Sequence, residues 1–236
     1  IEGLRRIKDG YEVAAIRRAC TTLSGVARHL RQWVSRGRAE REIAHDIDTA
    51  MVRAGFSRPA FQTIVASGPN SAHPHARPTD RTLRNGDLVV LDFGGVLDGY
   101  CGDLTRMAAV GQVEAAALAM FEAVRRAQEA AIAAVRADVL VSDVDAAARQ
   151  VLTNHGLGEA FLHATGHGLG LEVHEGPRIG RADADRVERL EAGMVCTIEP
   201  GAYVEGLGGV RLEDDVLVTA KGCEVLTEVP RDLMVV

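Results

Sequence analysis

Two acid-bearing apolar segments constrain this chain more than any other feature of it. The first, VVLDFGGVLDGYCGDLTR from Val89 to Arg106, places Asp92 at the end of an apolar run and Asp103 on the run that returns. The second, CTIEPGAYVEGLGGVRLEDDVLVT from Cys196 to Thr219, sets Glu199 and Glu213 in matching places. Apolar runs separated by glycine-rich turns pair as adjacent strands, so each segment predicts a hairpin. Two such hairpins would collect four carboxylates inside one sheet. Buried together, those groups repel one another and take up protons unless cations lie between them. Two divalent ions balance four negative charges.

The rest of the chain supplies the scaffold. Apolar residues recur at helical spacing from Gly10 to Arg36 (Val13, Ile16, Cys20, Leu23, Val26, Leu30) and again from Glu40 to Ala54 (Ile43, Ile47, Met51), which predicts two helices. Gly55 stops the second, and Ala60 to Ala66 reads as a short strand ending in Gly68 to Asn70. In the first hairpin the strand runs from Leu88 to Phe93, Gly94, Gly95 and Gly99 form the loop, and the return runs from Tyr100 to Val110. Helices follow from Val113 to Ala137 and from Ser142 to His155, with Ser142 as N-cap and Gly156 as stop. Met194 to Ile198 and Val210 to Val218 then flank a loop rich in glycine. Helices followed by an acid-bearing hairpin, twice over, predict an α+β domain of two related halves across residues 1–236.

Charge and composition narrow the function. A net charge of −6 and no concentrated Lys/Arg run argue against a binder of duplex nucleic acid. No stretch reaches the roughly 18 to 20 apolar residues of a membrane helix, and Arg5, Arg6 and Lys8 are not followed by an apolar signal core. Cys20, Cys101, Cys196 and Cys223 lie far apart without a CxxC pair, which suits a reduced, cytoplasmic protein rather than a zinc or redox motif. The chain begins at Ile1 rather than Met, as a trimmed or processed product would.

Nitrogen ligands come from GHGLGLEVHEGP, Gly166 to Pro177, where glycines on both sides let His167 approach a metal closely. His174 in the same segment is a candidate for catalysis, whereas His29, His45 and His155 read as ordinary hydrogen-bonded histidines. Arg211 precedes Glu213 by two, so strand alternation aims both to one face, where Arg211 would orient that carboxylate or meet a substrate carboxylate. The same alternation turns Asp214 away and leaves Asp215 to hydrogen-bond around the site.

Both hairpins, the GHGLGLEVHEGP segment and SGPNSAHPHARP from Ser67 to Pro78 resemble the pita-bread metallopeptidases in sequence, order and spacing, over nearly the whole chain. The resemblance implies a curved, mostly antiparallel sheet covered by helices. It implies that Asp92 and Asp103 coordinate one metal, that Asp103 and Glu213 bridge both, and that His167 and Glu199 complete the second. Manganese is the expected ion, with cobalt, iron or zinc as alternatives that affinity order does not separate. It also implies peptide hydrolysis by a metal-bridging hydroxide, with Glu199 as general base, His75 and His174 at the scissile amide and His163 near the substrate.

Within the family, the proline peptidases fit better than methionine aminopeptidases, whose second-histidine segment usually has Phe where this chain has Glu172 and Val173. SGPNSAHPHARP is similar to the corresponding loop of aminopeptidase P and prolidase. The opening LRRIKDGYEVAAIRRAC resembles the helix that follows an additional amino-terminal domain in those enzymes, a domain absent from this chain. The expected activity is therefore Xaa-Pro dipeptidase or Xaa-Pro aminopeptidase, acting on peptides with a free amino terminus, with a homodimer as a further expectation. A methionine aminopeptidase-like enzyme and a non-catalytic binding module that has lost its metal are the alternatives, and retention of all five ligands weighs against the second.

Overall fold

Local sequence signals set where the helices begin and end. In the computed structural model, which describes residues 2–182 and 187–236, the helices are α1 (Glu2–Arg6), α2 (Gly10–Ala27), α3 (Leu30–Trp33), α4 (Glu40–Ala54), α5 (Ala115–Ala134) and α6 (Val141–Asn154). Asp9 caps α2 by accepting from the amides of Tyr11 and Glu12, while the Glu12 carboxylate accepts the Asp9 amide, a reciprocal capping box. Gly55, at φ 107°, closes α4 in the left-handed conformation that glycine adopts without a Cβ penalty.

The strands in chain order are β1 (Arg58–Pro59), β2 (Ile64–Ser67), β3 (Leu88–Leu97), β4 (Tyr100–Ala109), β5 (Gly166–Gly168), β6 (Glu175–Ile179), β7 (Val195–Ile198), β8 (Gly201–Val204), β9 (Gly208–Arg211), β10 (Asp214–Val218), β11 (Cys223–Val225) and β12 (Met234–Val235). One sheet runs β1-β3-β4-β12 with β2 also on β3, a second runs β11-β10-β7-β5-β6, and β8 and β9 form a ribbon. All pairings are antiparallel except that of β12 with β4, and a bridge between Thr105 and Glu213 joins the two sheets at the centre.

Strand alternation divides the core. Val89, Leu91 and Phe93 face α2 and α4, packing with Leu23, Ile43, Ile47 and Met51. Val90 and Met107 face the other way and join Cys196, Ile198 and Val216 under α5 and α6. Each aliphatic side chain fully buried in this way contributes about 1.5–3 kcal/mol relative to an exposed position. Asp92 follows Val90 on that second face, so the packing that seats the helices also turns the carboxylate toward the middle of the molecule. Among the described residues no helix is long and apolar enough to cross a membrane.

Several boundaries differ from the sequence reading. The expected helix from Gly10 to Arg36 breaks at Arg28 and His29, where a tightened turn (His29 amide to the Val26 carbonyl, 3.0 Å) precedes the short α3. The strand expected at Ala60 to Ala66 forms only from Ile64. Gly94 and Gly95 lie inside β3 rather than in a loop: a Cβ on Gly94 would sit 2.7 Å from the Phe61 ring, and one on Gly95 2.4 Å from that of Phe56. They are glycines because aromatic rings lie flat on the strand. The turn itself is Asp98-Gly99, both at positive φ, the two-residue type that matches strand twist. Ser142 is not the cap of α6, which starts at Val141 behind Leu140; the Leu140–Arg189 bridge fixes that end instead. The glycine-rich loop after Pro200 is itself the β8–β9 ribbon, and Val210 to Val218 is not one strand, because Leu212 turns into the core between β9 and β10.

Candidate active site

The β3–β4 register places Asp92 opposite Thr105 and Gly94 opposite Asp103, so the two acids are diagonal neighbours on one face. Glu213 arrives from the other half at the break between β9 and β10, and its Oε2 accepts from the Thr105 hydroxyl at 2.6 Å. Glu199 leaves the end of β7, its amide bonded to the Thr165 carbonyl at 2.7 Å. Thr197, two residues earlier on the same face, donates its hydroxyl to Glu199 Oε1 (3.1 Å) and accepts the His167 amide (3.1 Å).

His167 completes the cluster, with Nε2 3.2 Å from Glu199 Oε1 and 3.9 Å from Asp103 Oδ2. Its Nδ1 lies 3.1 Å from the Gly168 carbonyl, which only accepts, so Nδ1 carries a proton and Nε2 is the atom turned to the acids. The flanking glycines are structural necessities here. A Cβ on Gly166 would sit 1.9 Å from the Thr197 carbonyl oxygen, and one on Gly168 2.2 Å from that of Gly176. Gly166→Ala is therefore expected to push β5 off β7, costing about 1–3 kcal/mol as overpacking does. Thermal unfolding together with metal stoichiometry checks this; an unchanged melting temperature and full metal binding would contradict it.

The electrostatics are those of a cluster built for positive charge. Burial, reinforced by repulsion from Asp92, pushes Asp103 well above the usual carboxylate range. Burial and the charge of Asp103 do the same to Glu213. Burial also raises Asp92, against the opposing pull of the Arg211 guanidinium. For His167 and Glu199 burial opposes ionisation, but their mutual hydrogen bond and attraction win, lifting His167 to about 9 and holding Glu199 at about 2. Asp92 Oδ1 and Asp103 Oδ1 are buried without a hydrogen-bond donor, and ligand atoms of Asp103, His167 and Glu213 lie within 4.8 Å of one another. Orphaned carboxylate oxygens beside an imidazole whose Nε2 proton a metal can displace fit divalent cations held by oxygen and nitrogen.

A cavity of about 640 Å³ opens over the cluster, with Phe61, Ile64, Pro74, His75, Arg178 and His174 in its walls. His75 is exposed on the loop after β2, and the His174 ring meets that of His167 edge-on at 4.3 Å between centroids. His73 is exposed too and is not part of the cavity wall. His163 Nδ1 is 2.8 Å from the Ala164 carbonyl and therefore donates, which leaves Nε2 to accept from the Tyr203 hydroxyl at 2.9 Å. Both its nitrogens are thus engaged. Burial holds His163 below the ordinary histidine value, and burial followed by the charge of His167 does the same to His174.

Arg211 is buried, and its fork is taken up by Asp92, the Tyr203 hydroxyl (2.6 Å) and the Pro74 carbonyl (3.2 Å). It thus meets the Asp92 carboxylate rather than that of Glu213. Asp215 Oδ2 accepts from the Asp103 amide (2.9 Å) and from the Cys20 thiol (3.2 Å), while burial lifts this acid to about 7. Cys101 packs beside Asp103 with its thiol pushed up to about 12 by burial, and none of the four cysteines forms a disulfide.

Sequence reasoning passed over Thr105, Thr197 and Tyr203. The two threonines carry a legible signal, since each lies two residues from an acid of the cluster on the same strand face and offers a hydroxyl to a carboxylate. Tyr203 carries none, because its link to Arg211 and His163 depends on the ribbon that sequence read as a loop. Arg149 was also missed: held by Asp145 in α6, it donates to the Phe161 and His163 carbonyls (both 3.1 Å) and fixes the segment that carries His163.

Comparison with known proteins points the same way. The chain is 39% identical over 234 residues to an Xaa-Pro dipeptidase of Pyrococcus furiosus, covering 99% of this chain and 66% of that one. It is 43% identical over 234 residues to "Probable dipeptidase PepE" of Mycobacterium tuberculosis, covering 99% and 61%. A solved X-Pro aminopeptidase of Thermotoga maritima superposes with a TM-score of 0.95 at 38% identity, covering all of this chain and 66% of that one. The chain thus spans just under two-thirds of the length of these curated relatives, and its fold is the pita-bread fold. With residues 14–220 matching the model of that family, the chain carrying this acid and histidine cluster belongs to metallopeptidase family M24.

Proposed function

We propose that the chain is the catalytic part of a dinuclear metallopeptidase that hydrolyses the bond between an amino-terminal residue and proline, as a dipeptidase or an aminopeptidase. The observation that supports this best is the convergence of Asp92, Asp103, His167, Glu199 and Glu213 on one cavity with two carboxylate oxygens left unpartnered. Asp92, Asp103, His167, Glu199 and Glu213 would hold the two ions, with manganese as the expected metal. Two divalent ions, when bound, supply Lewis acidity toward the peptide carbonyl and lower the pKa of a water between them.

The chain's own residues do the rest. Glu199 lines the cavity as the proton acceptor, and the Thr197 hydroxyl orients its carboxylate. His174, neutral near pH 7, and His75 on the opposite loop offer imidazole N–H groups toward a substrate carbonyl in the cavity between them. His163 and Arg211 form the wall behind, tied through Tyr203, so that Arg211 neutralises Asp92 without leaving its place.

The names of the relatives support proline at the second position of the substrate. A panel of Ala-Pro, a tripeptide beginning Gly-Pro and Met-Ala-Ser, assayed with manganese, separates the readings. Cleavage of the proline peptides is expected, with the ratio of dipeptide to tripeptide turnover distinguishing the two modes. A clear preference for Met-Ala-Ser would instead mark a methionine aminopeptidase-like enzyme.

A further inference from the structure

Glu40, the first residue of α4, is fully buried; among the described residues no Lys or Arg forms a direct ion pair with it, and Arg81 reaches it only through the Ser67 hydroxyl. Hydrogen bonds take up both of its oxygens. Oε1 accepts from the Ser67 amide and hydroxyl (both 2.7 Å), and Oε2 accepts from the Thr79 amide (3.0 Å) and hydroxyl (2.6 Å). The Asn70 side-chain amide spans both oxygens at 3.1 and 3.0 Å. Ser67 and Thr79 are the two ends of the loop that carries His75 into the cavity, so one carboxylate closes the loop at its base.

The surrounding contacts continue the closure. Arg41 donates its amide to the Thr79 carbonyl, and Arg81 ties the Ser67 hydroxyl (2.6 Å) to Asp87. On the far side, Ser71 accepts the Gly209 amide at 2.8 Å, and Gly209 lies so close that a Cβ there would sit 2.0 Å from the Ser71 carbonyl oxygen. Pro74, next to His75, accepts from Arg211. The loop is thus fixed at its base by Glu40 and at its crest by β9, and between these ties it brings His75 to the cavity over the ligand cluster, beside Pro74, Ala76 and Arg77.

We infer that Glu40 is a positioning residue for His75: its carboxylate closes the Ser67–Thr79 loop and thereby holds the imidazole at the height of the metal ligands. This rests on the catalytic reading of His75 given above. A carboxylate is required because every partner is a donor. Glutamine would set an NH2 against the Ser67 or the Thr79 backbone amide, neither of which accepts a hydrogen bond, and so would unclasp one end of the loop. Asp92, Asp103, His167, Glu199 and Glu213 sit on the sheets and their connections, outside this loop, so they are expected to keep their positions when its base is opened.

The test is a mutant cycle on the manganese-loaded protein with Ala-Pro as substrate. Glu40→Gln is expected to lower kcat about 10- to 100-fold, as a displaced catalytic group does, with metal stoichiometry unchanged. Glu40→Asp, which shortens the reach to the same donors, is expected to fall between wild type and Glu40→Gln. In a His75→Ala background Glu40→Gln is expected to add little further loss, since both changes remove one contribution. Thr79→Val, at an exposed position, opens only one arm and carries the test if Glu40→Gln does not fold; it is expected to show a smaller loss in the same direction. Multiplying losses in the double variant, loss of metal from Glu40→Gln, or wild-type kcat in folded Glu40→Gln beside an impaired His75→Ala would each overturn the positioning role alone. Wild-type kcat in His75→Ala would overturn the catalytic reading of His75 and the positioning role with it.

Discussion

Glu199→Ala is expected to lower kcat on Ala-Pro by about 10³-fold or more, with the protein still folded. A positioned general base contributes about 10²–10⁴-fold on its own, and this residue carries a second proposed role as a ligand. The two roles separate by comparison with Glu199→Gln, which keeps the size of the side chain and one oxygen but cannot take a proton. If Glu199 acts as the base, the glutamine variant retains most of its metal yet loses nearly as much turnover as the alanine variant. Folding should survive both, since Glu199 follows the end of β7, is half-buried and lines the cavity. The measurements are kcat, metal content and the thermal unfolding midpoint. Turnover within tenfold of wild type in either variant, or undiminished hydrolysis in excess chelator, would remove the proposed mechanism.

Charge balance makes this centre legible in the sequence alone. Asp92 and Asp103 were legible because strand alternation and a single two-residue turn determine which side chains face each other, and the structure puts them on diagonal sites of one hairpin. Glu213 was legible as an acid in the matching place, although the reason for its position was not: it lies on no strand, and reaches the centre because Leu212 is drawn into the core just before it. Gly94 and Gly95 misled for a related reason. A missing Cβ signals either a turn or a close approach, and only the distant rings of Phe61 and Phe56 decide between them. The same holds for Arg211, which shares the cavity and the Thr105 hydroxyl with Glu213 as alternation predicts but gives its ion pair to Asp92. Long-range contacts of this kind, 119 positions apart in sequence for Arg211 and Asp92, leave no trace in local periodicity.

The second large effect concerns what stands behind the centre rather than in it. Arg106→Ala is expected to destabilise the protein by about 3–5 kcal/mol, the range found when one partner of a buried ion pair is removed. Arg106 donates to Asp214 Oδ1 (2.7 Å) and to the carbonyls of Thr105 (3.0 Å), Glu213 (2.6 Å), Val229 (2.8 Å) and Pro230 (2.9 Å). Truncation strands a fully buried carboxylate with only Arg231 left as a cationic partner, and takes the Arg106 donor from the buried Glu213 carbonyl. Asp214 is the acid that alternation turns away from the metals, so one strand, β10, begins with a residue that anchors it to β4 immediately after a residue that reaches the centre. Weakening the anchor should therefore reach Glu213 through its own carbonyl. Arg106→Lys, which keeps the charge but not the fork, is expected to recover only part of the stability, because one ammonium cannot serve five acceptors in fixed directions. Denaturant unfolding of the metal-free forms gives the loss, and manganese titration of the same variants gives the coupling: weaker metal binding should accompany lower stability. A loss below about 1 kcal/mol, the size of a surface ion pair, would show that Arg231, Thr227 and Gln128 satisfy Asp214 without Arg106 and that the centre does not depend on this anchor.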